Sequence, residues 1–452
     1  MSEIIPGIFK AYDVRGLYPG EIHEMVAHEI GGAYVSYLNA KRIGVSRDMR
    51  VSSPALMDAF VAGARGQGCD VIDYGMQATD MIYFAVVRDG LDGGVQITAS
   101  HNPKQYNGIK MVRKGAQPLS GDEGIGEIRD MVVAKATPPK APRAGALTQA
   151  NVLDDYTKKV MSFIDQSLIK PFNVVLDAAN GMAGLVAPKL FDQLPCKTTR
   201  LAFTPDGTFP NYEANPLIEE NRRVVTERVL REKADIGIAW DGDADRVFFI
   251  DGNGEFIAGD FITALLAEAF LIRQPGQAVV YDVRASYAVK DTVAKYNGSA
   301  HMNRVGHAFF KGRMRETNSV FGGEVTGHYY FRDFYFCDNG FIPALLILEL
   351  MSRKGQTLRE LLAPLREKYF ISGEINTHLK EGTSAQEKMD GLSAMYTEGR
   401  VYAIDGISAE FHHWHFNVRA SNTEPLLRLN LEATTQEMME QKRDEILAFI
   451  RS

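Results

Sequence analysis

One stretch of the sequence decides the fold class: DIGIAWDGDADRVFFI, residues 235–250. Its first part, Asp235 to Trp240, is a short apolar run that predicts a buried strand, and a helical pattern from Arg222 to Lys233 precedes it. Its last part, Val247 to Ile250, predicts another strand. Helices that alternate with strands in this way are typical of α/β domains. The acidic loop between the two strands therefore lies where α/β sheets commonly bind ligands, beyond the carboxyl end of a strand.

This loop carries three carboxylates at alternate positions, those of Asp241, Asp243 and Asp245. Carboxylates so close together repel one another unless a cation or several donors compensate them, so the spacing favours a metal site over a solvated acidic turn. A calcium loop of the EF-hand type is excluded, because Arg246 stands where that pattern requires glycine and Gly252 where it requires glutamate. Mg²⁺ is the expected ion, since it prefers few carboxylates together with phosphate oxygens.

A second motif, TASHNP at residues 98–103, follows an apolar run, Val95 to Ile97, that predicts another strand. It places the hydroxyl of Ser100 beside the imidazole of His101, and Lys110 brings an ammonium group a few residues downstream. Each of these residues alone is more often structural, because Ser, Asn and Pro are all favoured in turns. A serine nucleophile needs activation by a charged neighbour. Serine, metal and phosphate together indicate phosphoryl transfer to or from an alcohol oxygen.

Composition and charge narrow the classes of partner. The chain has 452 residues, of which 45% are apolar and 24% charged, with a net charge of -7. That length predicts two to four domains. So acidic a chain has no general attraction for nucleic acid or anionic lipid, and any anion site must be built locally from a few cationic side chains and backbone N–H groups. We expect a small phosphate ester as ligand, with no nucleic acid, no membrane and no predicted protein partner.

The expected location is the cytoplasm. Cys69, Cys196 and Cys337 are isolated and follow no metal or redox spacing, which favours a reducing compartment. The N-terminal residues lack a basic segment followed by an apolar core, so no secretory signal is predicted. The longest apolar run, Phe341 to Met351, contains Glu349 and is too short to span a bilayer, so it predicts a core helix.

The order of patterns along the chain predicts four domains. The proline-rich segment from Lys135 to Arg143 has no helix or strand periodicity and predicts an exposed linker. A strand from Phe172 to Asp177 with a glycine-containing helix start after it, and a unit from Ala258 with a helix over 261–273 and a strand over 278–283, predict further α/β domains. After Ile371 several strands and two helices predict an α+β module. The expected domains are residues 1–143, 144–257, 258–367 and 368–452, and the strands expected in the last are 372–379, 401–411, 415–419 and 426–433, before a helix over 435–450.

Four motifs together resemble the α-D-phosphohexomutase family. TASHNP, DGDADR, GEVTGH at residues 323–328 and RASNTEP at residues 419–425 occur in the order and approximate spacing of that family. The opening FKAYDVRG, residues 9–16, is most similar to the phosphomannomutase/phosphoglucomutase branch. The resemblance spans the whole chain. It implies three similar mixed α/β domains and a smaller C-terminal α+β domain around a central active-site cleft, which agrees with the expected boundaries.

The resemblance also implies roles for the residues of the first two motifs. Ser100 is the expected phosphoserine, and its phosphate with Asp241, Asp243 and Asp245 is expected to hold Mg²⁺. A phosphate of about two negative charges could not lie beside three carboxylates without a cation between them. The cationic and imidazole side chains expected to act on the transferred group are Arg15, His101, Lys110 and Arg246. A proton must also leave the attacking sugar hydroxyl, and Lys110 and His328 remain alternative candidates for the acid/base group.

Further residues are expected to bind the substrate by the same resemblance. The non-reacting phosphate is expected to contact Arg419, Ser421, Asn422 and Thr423. The sugar hydroxyls are expected to contact Glu324, Thr326 and His328, and further substrate contacts are expected from Tyr12, Arg284 and His307. Two positions depart from the branch: Thr326 replaces a frequent serine, and Arg284 replaces a frequent lysine. The first keeps the hydroxyl, and Arg284 is expected to contact phosphate as the lysine of the branch does.

The sequence thus predicts an intramolecular phosphotransferase. It would reversibly interconvert mannose, and also glucose, 6-phosphate and 1-phosphate through a phosphoserine, with a hexose 1,6-bisphosphate as activator and intermediate. Three alternatives remain open. A phosphoglucosamine mutase would differ in substrate, a magnesium-dependent sugar phosphatase would release free phosphate, and a non-catalytic phosphosugar-binding protein would bind without turnover.

Overall fold

The computed structural model of the protein describes residues 5–121, 123–380, 382–420 and 426–452. The strands are β1 Val14–Leu17, β2 Arg42–Arg47, β3 Asp70–Met76, β4 Gly93–Ile97, β5 Tyr106–Arg113, β6 Gln117–Pro118, β7 Leu147–Gln149, β8 Asn173–Asp177, β9 Lys197–Leu201, β10 Ile236–Trp240, β11 Val247–Asp251, β12 Ala278–Asp282, β13 Ser299–Asn303, β14 Phe321–Gly323, β15 Tyr329–Phe331, β16 Cys337–Asp338, β17 Phe370–Ile371, β18 Ile375–His378, β19 Arg400–Tyr402, β20 Ile407–Glu410, β21 Trp414–Ala420 and β22 Leu426–Ala433.

The α-helices are α1 Glu24–Leu38, α2 Ser53–Gly66, α3 Thr79–Arg88, α4 Ile125–Val133, α5 Leu153–Met161, α6 Ala183–Phe191, α7 Glu219–Glu232, α8 Gly259–Arg273, α9 Tyr287–Lys295, α10 His307–Thr317, α11 Ile342–Lys354, α12 Leu358–Arg366, α13 Ala385–Met395 and α14 Gln436–Arg451. Two compact units divide the chain: residues 1–257, 306–316 and 326–358 form the first, and residues 258–305, 317–325 and 359–452 form the second. None of the helices in the described ranges is long and apolar enough to cross a membrane.

The first sheet of the first unit has seven strands in the order β1-β5-β4-β2-β3-β7, with β6 paired to β5. Strands β2, β3, β4 and β7 run parallel, and β5 is antiparallel to β4 and β1. Helices α1 and α2 pack closely because each has glycine at the crossing: a Cβ at Gly31 would lie 2.2 Å from the Phe60 carbonyl oxygen, and one at Gly63 only 2.0 Å from that of His28. The predicted linker from Lys135 to Arg143 has no helix or strand, and β7 beyond it still belongs to this sheet.

The second sheet of this unit has the order β11-β10-β8-β9. Strand β10 is parallel to β8 and antiparallel to β11, and all five of its residues are buried. Trp240 ends this strand in the core, where its indole Nε1 donates a hydrogen bond of 2.7 Å to the carbonyl oxygen of Gly340. The strand, acidic loop, strand order predicted over residues 235–250 is confirmed.

The second unit contains the parallel strands β13, β12 and β14 and a six-stranded antiparallel sheet. The latter has the order β17-β22-β21-β20-β19, with β18 also paired to β22. Its core includes Leu392, Phe416, Leu429 and Ile446, so α13 and α14 both pack on this sheet. The single strand expected over 401–411 is wrong: β19 and β20 form a hairpin there, because Gly406 takes a φ of +68° in the turn between them. The predicted α/β class is confirmed.

Candidate active site

The loop between β4 and β5 holds Ser100 in an unusual backbone conformation. Ser100 has a φ of +51°, in the left-handed region that residues other than glycine seldom adopt. Its N–H donates a hydrogen bond of 2.9 Å to Oγ1 of Thr98. Backbone strain of this kind persists only where the surroundings determine the conformation. The loop is therefore held in place by specific contacts, and the serine side chain is presented in one direction.

Arg50 supplies most of those contacts. Its Nη2 donates to the carbonyl oxygens of Ser100 at 2.8 Å and Asn102 at 2.6 Å. Its Nη1 donates to those of Pro103 at 2.9 Å and Tyr106 at 3.1 Å. One buried guanidinium thus binds four carbonyl groups of the serine loop.

Asp48 holds Arg50 from the other side. Its Oδ2 accepts a hydrogen bond of 3.1 Å from Nε of Arg50, and its Oδ1 accepts one of 2.6 Å from Oγ of Ser53. Neither Asp48 nor Arg50 was predicted from the sequence. Both residues follow β2, whose middle residues are buried, and β2 is the parallel neighbour of β4. Two charged residues of opposite sign directly after a buried strand are the sequence feature from which Asp48 and Arg50 could have been predicted.

The acidic loop reaches Ser100 from the second sheet. Ser100 Oγ donates a hydrogen bond of 2.9 Å to Oδ2 of Asp241. A Cβ at Gly242 would lie 2.6 Å from the Ser100 carbonyl oxygen, so only glycine allows the two loops to approach this closely. Ala244 turns the loop back with a φ of +62°. The structure therefore brings the two motifs of the sequence together.

The three predicted metal ligands converge. One carboxylate oxygen from each of Asp241, Asp243 and Asp245 lies within 4.8 Å of those of the other two, and all three residues are buried. In the described part of the chain, Oδ1 of Asp243 and Oδ1 of Asp245 are buried oxygens without a hydrogen-bond partner. Buried anionic oxygens without donors are costly unless a cation approaches them. The donor set, three hard oxygen ligands, fits Mg²⁺.

The chain's own cations balance part of this charge. Lys110 Nζ lies 2.7 Å from Oδ2 of Asp243 and 2.5 Å from Oδ2 of Asp245. Burial opposes the charged form of Lys110, but the two carboxylates outweigh it and hold its pKa above the ordinary value. Arg246 Nε lies 3.0 Å from Oδ2 of Asp241. The repulsion expected from the sequence is thus offset in part by Lys110 and Arg246.

Two other predicted residues of the transfer centre lie beside the Ser100 hydroxyl. Arg246 Nη2 lies 3.0 Å from Ser100 Oγ and also contacts Nδ1 of His101, which itself lies 3.2 Å from Ser100 Oγ. Arg15 contacts the same loop two residues further on: its Nη1 donates a hydrogen bond of 2.7 Å to Oδ1 of Asn102, and it pairs with Asp13. One guanidinium group and one imidazole therefore lie beside the hydroxyl, and a second guanidinium group binds the loop that carries it.

His328 lies beside the acidic loop. Its Nδ1 is 3.1 Å from Oδ2 of Asp338 and 3.9 Å from Oδ1 of Asp245. Burial, assisted by the charge of Arg246, lowers the pKa of His328 to about 4 despite the opposing effect of Asp338. Asp338 is held in turn by Lys311, whose Nζ lies 2.7 Å from Oδ1. Neither Asp338 nor Lys311 was predicted from the sequence, because both lie outside the four motifs.

Three further predicted residues belong to the same unit. The His307 ring packs edge-on against Tyr12 with ring centroids 4.7 Å apart, and its centroid is 6.1 Å from that of His328. Burial, together with the positive charge of Lys311, lowers the pKa of His307 well below its ordinary value. Thr326 is partly buried two residues before His328.

The second unit contains the remaining described candidates, Arg284, Glu324 and Arg419. Arg284 donates through Nη2 to Oδ2 of Asp282 at 2.8 Å, and Glu324 is buried. Arg419 Nη2 donates a hydrogen bond of 3.0 Å to Oε2 of Glu374, a residue that the sequence analysis missed. Ser421, Asn422 and Thr423 lie outside the described residues.

The chain matches four sequence models of one family, phosphoglucomutase/phosphomannomutase. The models of α/β/α domains I, II and III match residues 6–137, 154–254 and 258–369, and the model of the C-terminal domain matches residues 366–449. These matches and the observed sheets confirm the predicted fold class.

Curated relatives are similar along their whole length. A phosphomannomutase of Salmonella montevideo is 42% identical over 98% of this chain and 99% of its own length. A protein of Xanthomonas campestris pv. campestris named phosphohexose mutases is 42% identical over 98% of this chain and 99% of its own. A solved structure of a phosphoglucomutase/phosphomannomutase family protein from Burkholderia thailandensis has a TM-score of 0.90 at 31% identity and covers 99% of this chain and 97% of its own. The chain therefore belongs to the phosphoglucomutase/phosphomannomutase family and is a phosphohexomutase.

Proposed function

We propose that this phosphohexomutase reversibly interconverts the 6-phosphates and 1-phosphates of mannose and glucose through a phosphoserine at Ser100. The single observation that carries the proposal is the position of the Ser100 hydroxyl. It lies 2.9 Å from Asp241 Oδ2 and 3.0 Å from Arg246 Nη2. Mannose is placed first because curated relatives that cover the whole chain are named phosphomannomutase.

The proposed metal ligands are Asp241, Asp243, Asp245 and an oxygen of the Ser100 phosphate. Mg²⁺ bound there neutralises negative charge on the phosphate and polarises its phosphorus. The orphaned Oδ1 atoms of Asp243 and Asp245 support this assignment.

In the proposed transfer, a sugar hydroxyl oxygen attacks the phosphorus of phosphoserine while the bond from phosphorus to Ser100 Oγ breaks. The sugar gains the phosphoryl group and loses its hydroxyl proton, the Ser100 oxygen gains a proton and becomes a hydroxyl again, and the product is a hexose 1,6-bisphosphate. The bisphosphate then reverses its orientation in the site. Transfer of its other phosphoryl group back to Ser100 completes the isomerisation. Arg15, His101, Lys110 and Arg246 act electrostatically, because phosphoryl transfer depends chiefly on position and charge neutralisation.

His328 is the preferred acid/base group over Lys110. The Lys110 ammonium already donates to Asp243 and Asp245, so it has no lone pair to accept a proton. His328 Nδ1 faces Asp338 Oδ2 at 3.1 Å, which favours a proton on Nδ1 and leaves the Nε2 lone pair as the acceptor. Asp338 would then act as the residue that positions His328.

The remaining candidates are proposed to bind the substrate. Arg419, with Ser421, Asn422 and Thr423, would bind the phosphate that is not transferred, and Arg284 would assist. Glu324 and Thr326 would contact the sugar hydroxyls, and Tyr12 and His307 would contact the sugar ring and its phosphate. Fixing the remote phosphate lets its binding energy orient the reacting hydroxyl.

We further propose domain boundaries at residues 143, 257 and 367, as the sequence suggests; β7, which follows the first boundary, pairs with β3 of the first sheet. The cytoplasmic location stays a prediction from the isolated cysteines.

Substitution of Ser100 by alanine tests the proposal. Purified wild type, Ser100→Ala and the control Ser162→Ala, which changes an exposed serine, are assayed with mannose and glucose 1-phosphates, Mg²⁺ and hexose 1,6-bisphosphate. We expect hexose 6-phosphate from wild type and control and a loss of at least about a thousandfold in Ser100→Ala, as for other catalytic nucleophiles. Unchanged turnover in Ser100→Ala would contradict the proposal.

The same assay separates the alternatives. Free phosphate in place of the isomer would indicate a phosphatase, binding without turnover a non-catalytic protein, and a strong preference for glucosamine phosphate a phosphoglucosamine mutase.

A further inference from the structure

In the second unit, three guanidinium groups surround one carboxylate. Glu374 Oε2 accepts hydrogen bonds from Arg284 Nη1 at 3.2 Å and from Arg419 Nη2 at 3.0 Å. Its Oε1 accepts one from Arg428 Nη1 at 3.0 Å. We call Arg284, Arg419 and Arg428 the arginine cluster. A carboxylate bound by several guanidinium groups resembles the way in which proteins bind phosphate.

The arginine cluster has more positive charge than Glu374 alone can balance. Asp282 pairs with Arg284 but makes no such contact with the other two arginines. Among the residues that the structure describes, Nε of Arg419 and Nε of Arg428 are buried without a hydrogen-bond partner. Burial and the nearby Arg284 charge lower the pKa of Arg419. The three guanidinium groups outweigh the burial effect on Glu374 and hold its pKa at about 2, so Glu374 is an anion at every physiological pH.

Glu374 is more exposed than two of the three arginines. The side chain of Arg284 is 1% exposed and that of Arg419 is 10% exposed, whereas those of Glu374 and Arg428 are 24% and 28% exposed. Glu374 also lies outside regular structure, in the short connection between β17 and β18. It directly follows Gly373, whose φ is +67°. A rotation of the Glu374 side chain would free donors in the cluster without rebuilding the core.

We propose that Glu374 is an internal anion that occupies the arginine cluster in the absence of phosphate, and that the non-reacting phosphate of the substrate displaces it. The inference rests on the proposed function, which assigns that phosphate to Arg419. A phosphate dianion has more charge and more acceptor oxygens than a carboxylate, so it satisfies the cluster better. Glu374 thereby weakens phosphate binding and assists product release, since each turnover must release a phosphorylated sugar.

Removal of the Glu374 charge should therefore strengthen phosphate binding. Glu374→Gln keeps the shape of the side chain and removes the charge that repels phosphate. One unit of charge a few ångströms away, partly screened by solvent, corresponds to a gain in affinity of about tenfold. The matched control is Glu445→Gln, which removes a carboxylate of the same unit that pairs with Lys442 and Tyr396 instead.

The experiment is calorimetric titration of the full chain with inorganic phosphate, in a chelator so that binding at the acidic loop is suppressed. We expect about tenfold tighter binding in Glu374→Gln and in a second variant, Glu374→Ala, and no change in Glu445→Gln. With hexose 1-phosphate as substrate, KM should fall by a similar factor while kcat does not rise. Unchanged or weaker phosphate binding in both Glu374 variants, or an equal gain in the control, would overturn the inference.

Arg419→Gln distinguishes the inference from the proposed function. If this variant binds phosphate as tightly as wild type, the assignment of the phosphate to Arg419 fails and the inference fails with it. If Arg419→Gln binds more weakly and Glu374→Gln does not bind more tightly, only the inference fails.

Discussion

Replacement of Arg50 by lysine should impair phosphoryl transfer without touching a residue that contacts the substrate. Arg50 donates to four carbonyl groups of the loop that carries Ser100, while its Nε contacts Asp48. Lysine keeps the positive charge but has only three N–H donors on a single atom, which cannot reach all five acceptors. At least two buried or partly buried acceptors are therefore left without a donor.

The magnitude follows from those lost hydrogen bonds. A buried polar group left unsatisfied costs about 1–3 kcal/mol. Two such groups predict a loss of roughly 2–6 kcal/mol, divided between the free energy of unfolding and the energy that holds Ser100 in its left-handed conformation. Arg50→Met should cost at least as much, because it also leaves the buried Asp48 carboxylate without its partner, a change worth about 3–5 kcal/mol.

The assay measures kcat, KM and the rate at which hexose 1,6-bisphosphate phosphorylates Ser100, at a temperature where thermal unfolding shows the variant to be folded. We expect Arg50→Lys to lower kcat and the phosphorylation rate by about 10- to 100-fold, because each ~1.4 kcal/mol of the loss that raises the reaction barrier lowers the rate about tenfold. KM should stay within a factor of about three of the wild-type value. The control is Arg65→Lys, since Arg65 donates through Nε to the Gly145 carbonyl at 2.8 Å, outside the serine loop. A folded Arg50→Lys variant with wild-type kcat would refute the reasoning.

Three further predictions concern other parts of the first unit. Asp338→Asn should lower kcat by about 10- to 100-fold with little change in KM, because asparagine no longer orients His328. Steady-state kinetics measure both constants, and a rise in KM as large as the fall in kcat would indicate a binding role for Asp338 instead. Burial raises the pKa of Asp177 to about 6, so the charged carboxylate destabilises the fold at neutral pH, and this destabilisation is absent below about pH 4, where the group is protonated in the folded and the unfolded chain. Asp177→Asn should therefore raise the free energy of unfolding by about 1–3 kcal/mol at pH 7.5 but not at pH 4. Denaturant unfolding at both pH values measures this, and an equal effect at both would contradict the reasoning. Treatment with a chelator should abolish mutase activity and added Mg²⁺ should restore it, whereas undiminished activity in chelator would contradict the assignment of the three aspartates.

The sequence was sufficient for the elements that place the site. The apolar run before the acidic loop, the loop itself and the strand after it are present as predicted, because a short buried strand has a clear hydrophobic pattern. Ser100 and Asp241 also prove to be neighbours, although 141 positions separate them in the chain. The family motifs predicted this proximity, since local patterns alone carry no information on contacts so distant.

Other features could not be predicted, because they depend on how strands and loops pack together. Arg50 and Asp338 lie in no motif: the sheet order brings Arg50 to the loop of Ser100, and the pairing of β15 with β16 brings Asp338 close to His328. The charge balance at the aspartates was foreseen only in part: a cation was expected, but not that Lys110 Nζ would lie within 2.7 Å of two of them. The hairpin in the last sheet is a different case, because Asp405-Gly406 inside the apolar stretch is a typical turn signal and would have been sufficient to predict it.

The central claim is that Ser100 carries the phosphoryl group during turnover. The most direct measurement is a single-turnover experiment in which the protein is first phosphorylated with radiolabelled hexose 1,6-bisphosphate. One portion is digested, and the labelled peptide is identified by mass spectrometry. A second portion is mixed with unlabelled hexose 1-phosphate, and the transfer of label to the sugar is followed. We predict label on the peptide that contains Ser100 and its transfer to the sugar at a rate no slower than kcat. Label on another residue, or transfer much slower than kcat, would contradict the account.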